Sequence, residues 1–145
     1  MTDSSKNIKL VLEVLNDEIK GDSKSALNKL SDDYSMTWMY KSIKGTLFPA
    51  SKRAENSESF DVDLEDIYQI KDRKYDIKNI AEGENVVMVE LVESYTDPVT
   101  KQLYRTPLVL VLKIVDNKIK VGRHYCDPQV SYLNLTEEDI NKVII

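Results

Sequence analysis

The segment Leu108-Val109-Leu110-Val111-Leu112-Lys113-Ile114-Val115, then Asp116-Asn117, then Lys118-Ile119-Lys120-Val121-Gly122-Arg123-His124-Tyr125 constrains this chain more than any other. Asp and Asn tolerate positive φ, so a two-residue loop between two β-branched, apolar runs specifies a tight β-hairpin. The loop pairs Val115 with Lys118. Side-chain alternation then puts Leu108, Leu110, Leu112 and Ile114 on one face with Ile119, Val121, Arg123 and Tyr125. An arginine is thereby expected on an otherwise apolar face.

The preceding hairpin can be read the same way. With Pro98 to Lys101 as its loop, Asp97 pairs with Gln102, and Val87, Val89, Leu91, Glu93 and Tyr95 join the face of Tyr104, Thr106, Leu108 and Leu110. A loop one residue longer would invert this face, but Val87, Val89 and Leu91 are the more apolar set. The opposite face then carries Met88, Glu90, Val92, Arg105, Val109, Val111 and His124. It is too apolar for water once helices cover the inner face, so a homodimer through Met88, Val92, Val109, Val111 and His124 is expected.

Upstream, Ile8, Val11, Leu12, Leu15 and Ile19 recur at helical spacing up to Gly21, a residue suited to a left-handed C-cap. Asp22 fits the N-cap of a short second helix carrying Ala26, Leu27 and Leu30, which gives out near Asp32-Asp33. A strand follows, with Tyr34, Met36, Trp38 and Tyr40 on its inner face. From Gly45 to Ser59 the chain is polar and irregular, and a third helix is expected on Leu64, Ile67 and Tyr68. Strands resume at Tyr75, with Ile77 and Ile80 following before a turn at Glu82-Gly83-Glu84. Near the end, Thr136 and Asp139 form a capping box, and Leu135 and Ile140 take the positions of a hydrophobic staple. The apolar tail Val143-Ile144-Ile145 requires a cover.

Composition removes several function classes. A net charge of −5 with Lys and Arg spread among acids argues against a nucleic-acid surface. The longest apolar run, Leu108 to Leu112, is far short of the ~20 residues a membrane helix needs. Cys126 is the only cysteine, and the polar start lacks the apolar core of a signal peptide, so a cytoplasmic protein is expected. His124 and Cys126 make no metal cluster, and neither a phosphate loop nor a nucleophile elbow is present.

The element order predicts a single α+β domain over residues 1–145, with helices against one face of a curved, mostly antiparallel sheet. The chain resembles the nuclear-transport-factor-2-like superfamily, particularly its SnoaL-like and ketosteroid-isomerase-like members. The matching features are Gly21-Asp22, Asp32-Asp33, Ala81-Glu82-Gly83-Glu84-Asn85-Val86-Val87, Asp116-Asn117-Lys118-Ile119 and Tyr125-Cys126-Asp127. The resemblance implies a cystatin-like cone over about residues 7–128, three helices enclosing a conical pocket, and an extension over 129–145. The isomerases' catalytic aspartate falls on Trp38, their helical tyrosine on Val14 and their second acid near Leu110, so steroid isomerisation is excluded. The SnoaL-like acid corresponds to Asp127, while the accompanying histidine position falls near Lys113.

The expected interior therefore holds Trp38, Tyr40, Tyr95, Tyr104 and Tyr125 with Arg123, Glu93 and Asp127. Arg123 is a structural ion pair, a side chain reaching the rim, or an anchor for a ligand oxyanion. Glu93 or Asp127 are the candidate bases. The resulting expectation is a cofactor-free cone binding a small apolar or aromatic molecule that can be anionic. Its alternatives are a cofactor-free lyase, isomerase or cyclase, and an assembly domain with a filled interior.

Overall fold

Alternation along the last two hairpins builds most of the sheet. The computed structural model describes residues 5–39, 50–51, 70–97, 101–127 and 130–144. In chain order the elements are α1 (Lys6–Lys20), α2 (Ser23–Asn28), β1 (Leu30–Trp38), β2 (Ala50–Ser51), β3 (Lys74–Gly83), β4 (Val86–Thr96), β5 (Leu103–Val115), β6 (Lys118–Tyr125), a 3-10 turn at Val130–Leu133 and α3 (Glu137–Asn141). The six strands lie in the order β2-β1-β6-β5-β4-β3. All neighbours are antiparallel except β1 and β6, which run parallel. Tyr40, the expected third helix and the polar stretch from Gly45 to Ser59, apart from Ala50 and Ser51, lie outside the described residues; those two form β2 on the edge of β1 rather than irregular chain.

Ser5 caps α1 by accepting from the Ile8 N–H, and Gly21 closes it at φ 72°. The helix buries Val11, Val14 and Leu15, whereas Leu12 and Ile19 are exposed. Asp17 then ties α1 to α2, accepting from Lys29 Nζ at 2.6 Å and from Ser25 Oγ at 2.8 Å. The second helix stops at Asn28, earlier than the apolar spacing suggests, because Leu30 already belongs to β1.

The hairpin expectations hold in β4 and β5. Val87 pairs with Leu112, Val89 with Leu110, Leu91 with Leu108, Glu93 with Thr106 and Tyr95 with Tyr104. Asp97 N–H donates to the Gln102 carbonyl at 2.9 Å. Val87, Val89 and Leu91 are fully buried and face α1, forming one core with Val11, Val14, Leu15, Leu108, Leu110 and Leu112. The Asp116-Asn117 loop has both residues at positive φ, 51° and 61°, and Val115 pairs with Lys118 as expected.

Beyond Ile119, β6 departs from the expected register. Ile114 pairs with Ile119 but Lys113 pairs with Val121, so Lys120 is an extra residue, a β-bulge. Every side chain after it changes face. Gly122 lies opposite Leu112 and His124 opposite Leu110, on the inner face, while Arg123 lies opposite Val111 and Tyr125 opposite Val109, on the outer face. The expected interior positions of Arg123 and Tyr125, and the outward position of His124, are thereby corrected. Burial energetics account for the slip, since a charged Arg123 inside would lose its hydration. Inside, Gly122 leaves room for Met36 and Tyr34 of β1, and the bulged Lys120 pairs with Asp33 at 3.3 Å. Trp38 lies beside His124 on the inner face, as expected. A second bulge, between Ile77 and Asn79, explains how Tyr75, Ile77 and Ile80 share a face despite their uneven spacing.

The outer face is partly covered by the chain itself. The 3-10 turn packs on β5, Arg105 Nη1 donates to the Leu135 carbonyl at 3.1 Å, and Lys78 Nζ reaches Asn141 Oδ1 at 3.5 Å. Thr136 and Asp139 form the expected capping box of α3, and Ile140 is buried. Val92 and Val111 are buried within the single chain, while Met88, Leu103, Val115 and Tyr125 on the same face remain exposed. Val143 is also exposed.

A β-carbon added at Gly122 would lie 2.7 Å from Met36 Cε and 3.1 Å from Tyr34 Oη. Gly122→Ala is therefore expected to cost about 1–3 kcal/mol by overpacking. Combining it with Met36→Ala, which opens space there, should cost less than the two single losses together, as urea unfolding would measure.

Candidate functional site

The inner face carries polar groups at one end of β3 and β4. Tyr75 pairs with Glu93 across these strands, and Arg73 lies two residues before Tyr75, on the same face. Opposite them, α1 presents Glu18. It lies three residues after Leu15 and four after Val14, in line with the buried stripe of that helix. The Tyr75 hydroxyl donates to Glu18 Oε2 at 2.7 Å, and Arg73 Nη1 donates to Glu93 Oε2 in an ion pair. The Arg73 guanidinium is 5.3 Å from the Tyr95 ring centroid and 6.0 Å from that of Tyr75, within cation–π range. Tyr95 and Tyr104 extend the aromatic wall, with ring centroids 5.7 Å apart.

Burial sets the electrostatics. Arg73 is only 7% exposed, yet its pKa is raised: burial opposes the charge, but the facing Tyr75 and Glu93 outweigh it. Loss of water pushes the Glu18 carboxyl up to about 7, against the lowering pull of Tyr75 and Arg73. Burial also holds the Tyr75 phenol protonated far above its ordinary range. A carboxyl near neutrality, bonded to a phenol that stays protonated, can both take and give a proton at physiological pH.

The residues singled out from sequence divide accordingly. Glu93, Tyr95 and Tyr104 meet at this cluster. Trp38 is on the same face but on β1, at the far side of the sheet. Asp127 is exposed and lies past the end of β6, so it does not join Glu93 in a row through Thr106. Arg123 and Tyr125 face outward, and Tyr40 is outside the described residues. Glu18, Arg73 and Tyr75 are the members that the sequence reading did not assign to a site. Two signals were available for them: an acid in line with Val11, Val14 and Leu15, and an arginine two residues before an inward tyrosine. Cys126 packs against the core, and burial pushes its thiol up to about 11, which makes it a poor nucleophile. Among the described residues no group of His, Cys, Asp and Glu could hold a metal ion, and no helix is long and apolar enough to cross a membrane.

Two partly buried titratable groups oppose one another in stability. The Glu18 pKa is raised from 4.5 to about 7, so its contribution is fully present below pH 4.5 and is lost as pH rises through 7. Burial depresses the His124 imidazole from 6.5 to about 4, so its contribution is present above pH 6.5 and is lost as pH falls through 4. Each effect is on the order of 3 kcal/mol at most. Glu18→Gln should be more stable than the parent at pH 8 and leave a stability that declines on acidification. His124→Gln should leave the reverse slope, and urea titrations at pH 5 and pH 8 would measure both.

Solved structures share this architecture. A putative SnoaL-like polyketide cyclase from Shewanella putrefaciens superposes with a TM-score of 0.70 at 14% identity, covering 88% of this chain and 84% of its own. IdmH, a putative polyketide cyclase from Streptomyces antibioticus, superposes with a TM-score of 0.70 at 10% identity, covering 90% and 98%. An NTF2-like protein from Cytophaga hutchinsonii gives 0.63 at 14% identity, covering 89% and 96%. No protein-family model matches the sequence, and no curated protein matches it. At these identities the likeness carries the fold and not the activity. The chain has the α+β cone fold that these NTF2-like and SnoaL-like structures share.

Proposed function

We propose that this protein binds a small, largely apolar molecule against its inner sheet face and catalyses a cofactor-free proton transfer on it, as an isomerase, lyase or cyclase. The observation that carries this reading is the Glu18 carboxyl, poised near neutrality at about 7 and hydrogen-bonded to Tyr75 at 2.7 Å. Glu18 takes a proton from a carbon acid and returns it, and the Tyr75 hydroxyl keeps the carboxyl oriented. The aromatic wall of Tyr95 and Tyr104 supplies apolar contact for the ligand. The cyclase-like neighbours favour this chemistry over a filled, purely structural interior. Of the two acids expected from sequence, Glu93 takes the part of Arg73's counter-ion, and the base is Glu18.

Hydrogen–deuterium exchange at the α-carbon of a panel of cyclic ketones in D₂O, followed by NMR, tests the reading. The protein should accelerate exchange with a midpoint near pH 7, and Glu18→Gln should slow it by about 10²–10⁴-fold. Exchange at the same rate in both proteins would leave Glu18 a structural residue.

Homodimerisation through the outer face belongs to the same proposal, supported by Met88, Leu103, Val115 and Tyr125, which are 47%, 42%, 37% and 41% exposed there. Light scattering should give a dimer for the unmodified chain and a monomer for Val109→Lys. A monomeric unmodified chain would remove this part of the proposal.

A further inference from the structure

The outer sheet face carries two opposite charges that this chain does not bring together. Arg123 of β6 and Met88 of β4 flank Val111 of β5, and in the next row Tyr125 and Glu90 flank Val109. Among the described residues Arg123 makes no ion pair, and Glu90 accepts only from the neutral Asn79 amide, at 2.8 Å. The two sit at opposite corners of the patch, two strands across and two residues along, or about 12 Å apart. That is too far for a direct pair.

Desolvation decides what can cover this patch. Met88 and Tyr125 are exposed, and Arg123, Glu90 and Val109 are partly so. A partner that removes water from the apolar side chains also removes it from Arg123 and Glu90, and a desolvated charge without a counter-charge is costly. Such a partner must offer an acid over Arg123 and a cation over Glu90 at the same separation. A second copy of this face does so by construction.

We infer that Arg123 and Glu90 form two reciprocal ion pairs between copies of this chain, across a twofold axis that runs in the interface along the diagonal from Met88 to Tyr125. This rests on the outer-face homodimer proposed above and gives it a register. Rotation about that diagonal sets the second copy face to face with the first and exchanges the other two corners. Arg123 then meets the partner's Glu90, and Glu90 meets the partner's Arg123, the reciprocity that an isologous interface requires. Met88 and Tyr125 lie along the axis, each against its own counterpart, and supply apolar contact around Val109 and Val111. The outward turn of Arg123 after the Lys120 bulge thereby places a cation in the interface.

Sedimentation equilibrium on the full chain tests the pairing by charge reversal. Arg123→Glu and Glu90→Arg should each weaken self-association by about 100-fold or more, because one substitution sets like charges against each other in both pairs. Mixed in equal amounts, the two variants should form a heterodimer as tight as the unmodified dimer, since each pair then joins one acid to one arginine. Arg123→Gln and Glu90→Gln keep the test open if a reversal does not fold: their losses should be strongly non-additive in the double variant. An unmodified dimer that neither reversal weakens, single variants that stay monomeric on mixing, or additive losses would overturn the pairing and leave the dimer reading standing. A monomeric unmodified chain would remove the dimer reading and the pairing with it.

Discussion

The cost of removing a charge from water governs how this chain is arranged. Inside the cone, the charges that enter do so with partners: Arg73 with Glu93, and Glu18 with the Tyr75 hydroxyl. Arg123 is turned outward by one extra residue in β6. The bulge at Lys120 thus separates a sheet face that can be apolar from one that meets solvent and the C-terminal segment. Gly122 and His124 take the inward places, and the absence of a side chain at Gly122 is what lets Met36 and Tyr34 pack there.

The same cost sets the electrostatics of the polar cluster. A carboxyl in water would be ionised and weakly basic at neutral pH, whereas α1 holds Glu18 where ionisation is opposed and its basicity rises. The rigid parts supply this environment, because Val11, Val14 and Leu15 of α1 pack on Val87, Val89 and Leu91 of β4 one or two turns away. The helix is therefore fixed against the sheet by apolar contact, and the carboxyl goes where the helix puts it. His124, on the same face several rows away, is held neutral by the same loss of water.

Local rules were sufficient wherever one or two adjacent elements decided the outcome. The Asp116-Asn117 turn, the pairing of Asp97 with Gln102, the Gly21 cap and the Thr136–Asp139 capping box all follow from neighbours in sequence, and all are present. The inner face of β4 and β5 follows from them, since period-two alternation carries a register the length of a strand unless something interrupts it. In β6 something does. The arginine expected on an apolar face was itself the sign of an interruption, because an unpaired buried charge is more expensive than one unpaired backbone position. The uneven spacing of Tyr75, Ile77 and Ile80 carried the same message in β3.

By itself, the sequence determined the fold class, the apolar core of the two long hairpins and the presence of Glu93, Tyr95 and Tyr104 at one end of that face. Only the tertiary structure decided which cation joins them. Arg73 and Arg123 are both arginines beside apolar strands, and their alternation patterns do not distinguish them. What distinguishes them is that β3 lies next to β4 and beneath α1, so Arg73 finds Glu93 and Tyr95 across a strand, while β6 pairs with β5 and β1 and offers Arg123 the outer face. Glu18 was undecided for the same reason. A glutamate on a helix is solvated by default, and its burial and its pKa depend on Tyr75, a residue 57 positions away that only folding brings to it.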